Sequence, residues 1–521
     1  MRHGKLTAGL VGISLMASAA CTAVPQADEN FSREWSSNEA RVSALFDTIS
    51  DNRASLRLFL SEMPKGGDLH NHMSGTPYAE EYLEWAAERE FCIDTAALAI
   101  RPPPCAAPDM VPVSGLIESD IALYERVVDA MSVRALLAEK PSSENGHTQF
   151  FSSFDRFLSI YSAEPGKALA SSKRSASYDY VFYQELMYNP ASMNSYALGL
   201  TSEHWTGEFA SAFETFKSEI PSLVAELRAQ ADRTEADAHE TLSCAENPTA
   251  PGCEVATRFN CYGFRLLPEA QLFHQLALCF ALIEADPRFL GVSLVQPEDH
   301  PLAIKNYNRH MQMIAFLNEK FPSAEVSLHA GELTLGLVPD SALRSHVAKA
   351  IHVAGSKRIG HGVDIAYEKN SRSTLKHMSD HEIAVEINLS SNSVILGVEG
   401  SDHPLNLYLE SDVPIVLSTD DLGVLRSDMT EQYVVAASEH GLGYKDLKQA
   451  SRNSLYYSFL PGESLWQDRR FAARVDACSD VNSALCDAFT ANSSKAMLEQ
   501  ALERAFTAFE REILTSAQNR E

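Results

Sequence analysis

The stretch KGGDLHNHMSGT, residues 65–76, places two imidazoles, His70 and His72, one residue apart at the end of a short run. Side chains at i and i+2 of a β-strand point to the same face, so both rings can approach one ion. Seven more short apolar runs bounded by breakers follow it. They are YVFYQELMY (180–188), YGFRLLPEA (262–270), FLGVSLVQ (289–296), AEVSLHAGE (324–332), RIGHGVDI (358–365), IAVEINLSS (383–391) and PIVLSTDD (414–421). Helix-like stretches such as HPLAIKNYNRHMQMIAFLNEKF lie between most of them. Strands alternating with helices predict a parallel sheet. Eight such units favour an α/β fold of the (β/α)8 TIM-barrel type over a doubly wound sheet, for which a Gly-x-Gly-x-x-Gly turn is missing.

The polar residues gather at one end of these runs. His70 and His72 end the first, HAGE (329–332) the fifth, GHG around His361 the sixth, and STDD with Asp420 and Asp421 the eighth. The C-terminal strand ends of a barrel converge on one mouth, where active sites sit. His329 and one aspartate would complete a nitrogen and oxygen donor set with His70 and His72 that suits zinc. A single histidine at a strand end is usually a hydrogen-bonded structural residue, and an adjacent Asp-Asp is usually a turn. Their joint appearance at strands one, five, six and eight carries the argument.

Composition limits the partners. The chain has 521 residues, 45% hydrophobic and 22% charged, with a formal net charge of −27. An acidic chain lacks the basic face that nucleic acids require. A basic start (MRHGK) and a short apolar run ending in small residues predict a signal peptide over 1–20. The segment SAAC resembles a bacterial lipobox, with lipidation expected at Cys21; plain cleavage after ASA is the rival reading. Residues 21–29 read as a tether, 30–62 as a helical extension, and 63–516 as the barrel. The expected location is therefore exported: periplasmic or outer-membrane-anchored, otherwise secreted. Membrane contact is expected only through the lipid, and oligomerisation is left open. Eight further cysteines fall in close groups, 92/105, 244/253, 261/279 and 478/486. Disulfides are plausible in an oxidising compartment, though eight cysteines allow 105 pairings. The Pro-rich, Cys-bracketed stretch at about 92–115 reads as a loop inserted over the mouth after strand one.

The motifs MPKGGDLHNHMSGT, SLHAGE, RIGHGVDI, EINLSSNSVI and STDDLGV, in this order over residues 60–460, resemble the adenosine deaminases of the amidohydrolase superfamily. STDDLGVLRSDMTEQY and RNSLYYSFLPGE look closest to the secreted, growth-factor-like branch. The resemblance implies one Zn²⁺ per chain on His70, His72, His329 and Asp420, which lowers the pKa of a bound water. It implies Glu332 as proton donor to purine N1, His361 orienting the water and helping to move its proton, and Asp421 contacting the water or purine N7. The implied partner is a small purine nucleoside, adenosine or 2′-deoxyadenosine, converted to the inosine-type product plus ammonia.

Two positions depart from the pattern. Ser74 stands where many relatives have an aspartate for the ribose 5′-hydroxyl. VSLVQPED stands where a DLAG motif is usual, which puts Ser293 at its aspartate and Gln296 at its glycine. Ser74 and Gln296 are thus expected substrate contacts with altered recognition. They keep open a mononuclear deaminase of another aminopurine or of a modified adenine nucleoside. A non-catalytic binding module ranks low because the metal and acid set is complete. A binuclear site ranks low because no lysine ends a candidate strand. The aromatic helix FFSSFDRFL reads as core packing or a lid, Glu185 as a barrel-interior residue, and Ser390 to Asn392 as structural support. His352, His381 and His403 have no evident partners.

Overall fold

The computed structural model describes residues 37–138, 145–199 and 205–519. The expected signal peptide, Cys21 and the tether lie outside the described residues, as does the start of the helical extension. Among the described residues, no helix is long and apolar enough to cross a membrane.

Eight parallel strands form one sheet in strict chain order: β1 (Gly66–His72), β2 (Val181–Met187), β3 (Ala256–Phe264), β4 (Phe289–Val295), β5 (Glu325–Ala330), β6 (Arg358–His361), β7 (Ala384–Ile387) and β8 (Ile415–Leu417). The ends of the sheet meet just beyond β8. The Asp420 N–H donates to the His70 carbonyl at 2.9 Å, and the His72 N–H donates to the Asp420 carbonyl at 3.0 Å. This parallel bridge at Asn71 and Asp420 joins the last strand's exit to β1, the (β/α)8 barrel expected from the motifs. It also sets His70 and His72, two expected metal ligands of β1, beside Asp420 from the far end of the barrel.

Two helices, α1 (Ser37–Ile49) and α2 (Arg53–Ser61), precede β1. Asn52 caps α2 by accepting from the Ser55 N–H at 2.9 Å. The helix α3 (Glu269–Ala285) follows β3 and is buried almost all round, from Ala270 to Ile283, as expected for a helix between a barrel and further helices. The last residues of β2, β3 and β4, Met187, Phe264 and Val295, gather with Tyr262 into an apolar cluster at the C-terminal end of the strands.

The structure differs from the sequence reading in two places. The third strand is ATRFNCYGF, six residues earlier than the apolar run suggested. Its core includes the polar Thr257 and Asn260, which break the hydrophobic signal, while Pro268 caps α3 and ends the run. The insertion is a folded unit rather than a loop. Cys92–Asp94 pairs antiparallel with Ala99–Arg101 and with Met110–Pro112, and the Cys92–Cys105 disulfide closes it. This small sheet leans on the helix Gly146–Ala163, where Ser159 Oγ donates to the Ile100 carbonyl at 2.6 Å. That helix stacks its aromatic side chains inward, Phe157 on Tyr82 at 4.8 Å, as core packing does. The other disulfides join Cys244–Cys253, Cys261–Cys279 and Cys478–Cys486.

Candidate active site

One ligand atom from each of His70, His72, His329 and Asp420 lies within 4.8 Å of those of the other three. His72 Nε2 is 3.1 Å from His329 Nε2 and 3.2 Å from Asp420 Oδ1, and His70 Nε2 is 3.4 Å from the same oxygen. The far side of two of these rings is committed. His70 Nδ1 donates to Glu386 Oε2 at 2.8 Å, and His329 Nδ1 is hydrogen-bonded to Ser293 Oγ at 3.1 Å. Glu386 is buried, which opposes ionisation, yet Arg358 and His70 hold its carboxyl down at about 2. It is therefore an acceptor, and His70 keeps its Nε2 lone pair for the centre.

These residues fit a bound cation. His70 Nε2 is buried and has no hydrogen-bond partner. Nitrogen lone pairs 3.1 Å apart repel unless something positive lies between them. Burial would lower the His70 pKa, but Asp420 and Glu386 outweigh it and lift the ring to about 10, so the surroundings call for positive charge. Three imidazoles and one carboxylate make a borderline donor set that suits a divalent transition metal.

The remaining expected residues flank this group. Glu332 Oε1 is 3.8 Å from His361 Nε2. Burial drives the Glu332 pKa well above the usual carboxylate range, with the charges of Asp420 and Glu298 adding to it. Burial holds His361 down at about 3 and hence neutral, with His70 adding to the effect. The Asp421 carboxylate is buried, its Oδ1 has no partner, and burial with the neighbouring Asp420 raises its pKa well above normal. It lies against Gly75, where any Cβ would overlap Oδ1. This is why the histidine pair is followed by glycine. Gly360 serves the same purpose for His70, whose Cε1 is 2.6 Å from where a Cβ would stand.

Three of these positions have left-handed backbones in non-glycine residues: Gln296 (φ 80°), His361 (φ 70°) and Asp420 (φ 58°). Such conformations cost on the order of 1–3 kcal/mol each and persist where surrounding structure enforces them. Of the two expected substrate contacts, Ser74 is held through its backbone and Gln296 through its side-chain oxygen. The Tyr82 hydroxyl donates to the Ser74 carbonyl at 2.8 Å, and Gln296 Oε1 accepts from the Leu266 N–H at 2.9 Å.

Sequence reading missed a supporting layer of residues. Glu386 is one. Arg358 links it to Glu185, with Nε 2.6 Å from Glu386 Oε1 and Nη2 2.5 Å from Glu185 Oε2, so Glu185 is a barrel-interior partner three contacts from His70. Glu298 is another, accepting from the Gly331 N–H at 3.2 Å and the Glu332 N–H at 2.9 Å while bound to His346 at 2.5 Å. Asn392, within the stretch already read as structural support, joins them, with Nδ2 2.9 Å from His361 Nδ1. Spacing along the chain signals none of these contacts, since each links different strands or loops.

Residues 298–477 match the profile of the adenosine deaminase family, described as "Adenosine deaminase". Adenosine deaminase of Escherichia coli (strain SMS-3-5) is 34% identical over 139 residues, 26% of this chain. The match spans 38% of the length of that relative. The fold is also similar to adenine deaminase from Arthrobacter aurescens, with a TM-score of 0.51, 16% identity, and coverage of 78% of this chain and 96% of that one. Arabidopsis ADAL complexed with IMP gives a TM-score of 0.51 at 16% identity over 86% of this chain and 99% of that one. The matched stretch contains His329, Glu332, His361, Asp420 and Asp421, and the barrel brings them to His70 and His72: over residues 298–477 the chain is similar to the adenosine deaminase family.

Proposed function

We propose that this protein is a zinc-dependent deaminase that hydrolyses adenosine or 2′-deoxyadenosine to inosine or 2′-deoxyinosine and ammonia. The observation that carries this reading is a buried Glu332, its pKa pushed well above the usual carboxylate range by burial, beside a convergent three-histidine, one-aspartate cluster. His70, His72, His329 and Asp420 would hold the ion, which when bound supplies Lewis-acid activation of water near neutral pH. Glu332 keeps its proton because its site is dry and negatively charged, so it can donate to N1 of the purine. Protonation at N1 draws electrons from C6 and opens that carbon to addition of water. His361 faces the same space and orients the oxygen. Asp421, which lies against Gly75, would meet the water or purine N7. The apolar cluster of Met187, Tyr262, Phe264 and Val295 at the mouth suits the face of an aromatic base. The expected product set is inosine and ammonia, with the amino nitrogen leaving from C6.

A second reading, another 6-aminopurine or a modified adenine nucleoside, is favoured by Ser74 and Gln296. Ser74 lacks a carboxylate for a ribose hydroxyl, and the Gln296 side-chain oxygen is already committed to Leu266. We also propose that the protein is exported and held to a membrane by a lipid on Cys21, on the strength of its first 21 residues. The test of the main reading is to follow the ultraviolet change of adenosine on conversion to inosine, with Glu332→Gln as control. Turnover abolished by the substitution supports it. A folded, zinc-loaded protein that converts neither adenosine nor 2′-deoxyadenosine overturns it, and conversion of a different aminopurine then selects the second reading.

A further inference from the structure

His361 is wired to the rest of the fold on the side away from the cluster. The wire begins at a backbone group. The Leu405 N–H donates to His403 Nδ1 at 3.1 Å. A backbone N–H can only donate, so this nitrogen of His403 must carry a lone pair. His403 is buried, and burial, followed by the nearby His440 and His361, holds it down at about 3. A neutral His403 with a lone pair on Nδ1 carries its proton on Nε2. That Nε2 is 3.0 Å from Asn392 Oδ1, to which it donates. The amide of Asn392 is thereby fixed with its NH2 toward the barrel. Its Nδ2 lies 2.9 Å from His361 Nδ1 and donates to it. Asn388 Nδ2 is about equally far from both His361 nitrogens, at 3.5 and 3.4 Å, and so does not discriminate between them. His403, Asn392 and His361 are all buried.

We infer that Asn392 and His403 are positioning residues that fix His361 as its Nε2–H tautomer, making it a hydrogen-bond donor toward the reaction space. Nδ1 is occupied by the Asn392 donor, so the proton of neutral His361 sits on Nε2, the atom that faces Glu332 Oε1 at 3.8 Å. In this state His361 orients an oxygen by donating to one of its lone pairs. It does not accept a proton at Nε2. The role of His361 is thus decided by the N–H of Leu405, at the start of a helix, three hydrogen bonds away through His403 and Asn392. This inference gives a finer role to His361 within the deaminase reading and rests on that reading only for its catalytic consequence.

Asn392→Asp tests it, because a carboxylate is nearly isosteric with the amide but offers only acceptors. His403 can still donate to it, while His361 must now place its proton on Nδ1 to meet it. The tautomer is read from the ¹⁵N shifts of the His361 ring in histidine-labelled full-length protein, with and without zinc and without any substrate. The wild type is expected to show an unprotonated Nδ1 and a protonated Nε2, and Asn392→Asp the reverse. Where a catalytic imidazole elsewhere is forced into the wrong tautomer, kcat falls about 10⁴-fold. Here kcat is expected to fall by about 10²- to 10⁴-fold with KM little changed and zinc content retained. A protonated Nδ1 in the wild type, or an Asn392→Asp protein with inverted tautomer and undiminished kcat, overturns the inference. Absence of deamination by the wild type refutes the proposed function instead. The ring shifts still decide the wiring in that case.

Discussion

Replacing Glu386 by glutamine should weaken metal binding and the fold together, and the structure says by how much. Glu386 accepts three hydrogen bonds: from His70 Nδ1 at 2.8 Å, from Arg358 Nε at 2.6 Å and from Ser327 Oγ at 2.6 Å. All three partners are donors. A glutamine has one oxygen and one NH2, so either orientation sets a donor against a donor. If the NH2 faces His70, the ring is pressed to move its proton to Nε2, which fills the lone pair aimed at the cluster. If it faces Arg358, a fully buried guanidinium keeps only Glu185 as a charged partner. Outer partners of metal-bound histidines are typically worth about 10- to 100-fold in metal affinity, or about 1.4–2.7 kcal/mol. Removing one partner of a buried ion pair costs on the order of 3–5 kcal/mol, and the lower end applies because Glu185 remains. Zinc affinity measured by competition with a chromophoric chelator gives the first quantity. Urea unfolding in excess chelator gives the second without the contribution of bound metal. A Glu386→Gln protein with wild-type zinc affinity and wild-type unfolding midpoint would refute the reasoning.

Gly75→Ala should leave the fold intact and reduce kcat/KM by about 100-fold, the effect of a catalytic group displaced by roughly 1 Å, because its methyl must push the Asp421 carboxylate aside. Steady-state kinetics beside a thermal melt checks it, and wild-type kinetics would show that Asp421 needs no fixed place. Acid should destabilise the protein through His310, whose pKa burial, with Arg265 adding, lowers to about 4 in the fold. The unfolded value is about 6.5, so its contribution is full above that pH and is lost as pH falls from 6.5 through 4, by about 3 kcal/mol at most. His310→Leu should flatten the fall in urea midpoint between pH 7 and 4.5; an unchanged slope would refute the assignment. Under native conditions a mild reductant should open Cys92–Cys105 and Cys244–Cys253 first, since Cys105 and Cys253 are partly exposed. Cys261–Cys279 and Cys478–Cys486 are fully buried and should resist. Alkylation followed by mass spectrometry reads the order, and equal rates for all four would contradict it.

Much of this site is legible in the chain because its chemistry sits at strand ends. The i, i+2 pair His70 and His72, HAGE, GHG and STDD each follow a short apolar run, and period-two geometry with parallel topology says that they share a mouth. The three histidines and one aspartate could be named for that reason, while the choice of Asp420 and the role of Glu332 came from the resemblance to adenosine deaminases. Other features depend on contacts between distant segments. Glu386 meets His70 across 316 residues and has no pattern of its own. The third strand was displaced in the sequence reading because its inward residues include polar ones, whose partners appear only when the barrel closes. The insertion at 92–115 looked like a loop because three-residue strands carry too little periodicity to register. His403 looked unpartnered because its partner is Asn392, in the loop after β7, and their hydrogen bond follows from packing. Local sequence determined which side chains reach the mouth. Tertiary structure alone decided their charge, tautomer and backbone strain, since each depends on burial and on partners that the chain brings together only by folding.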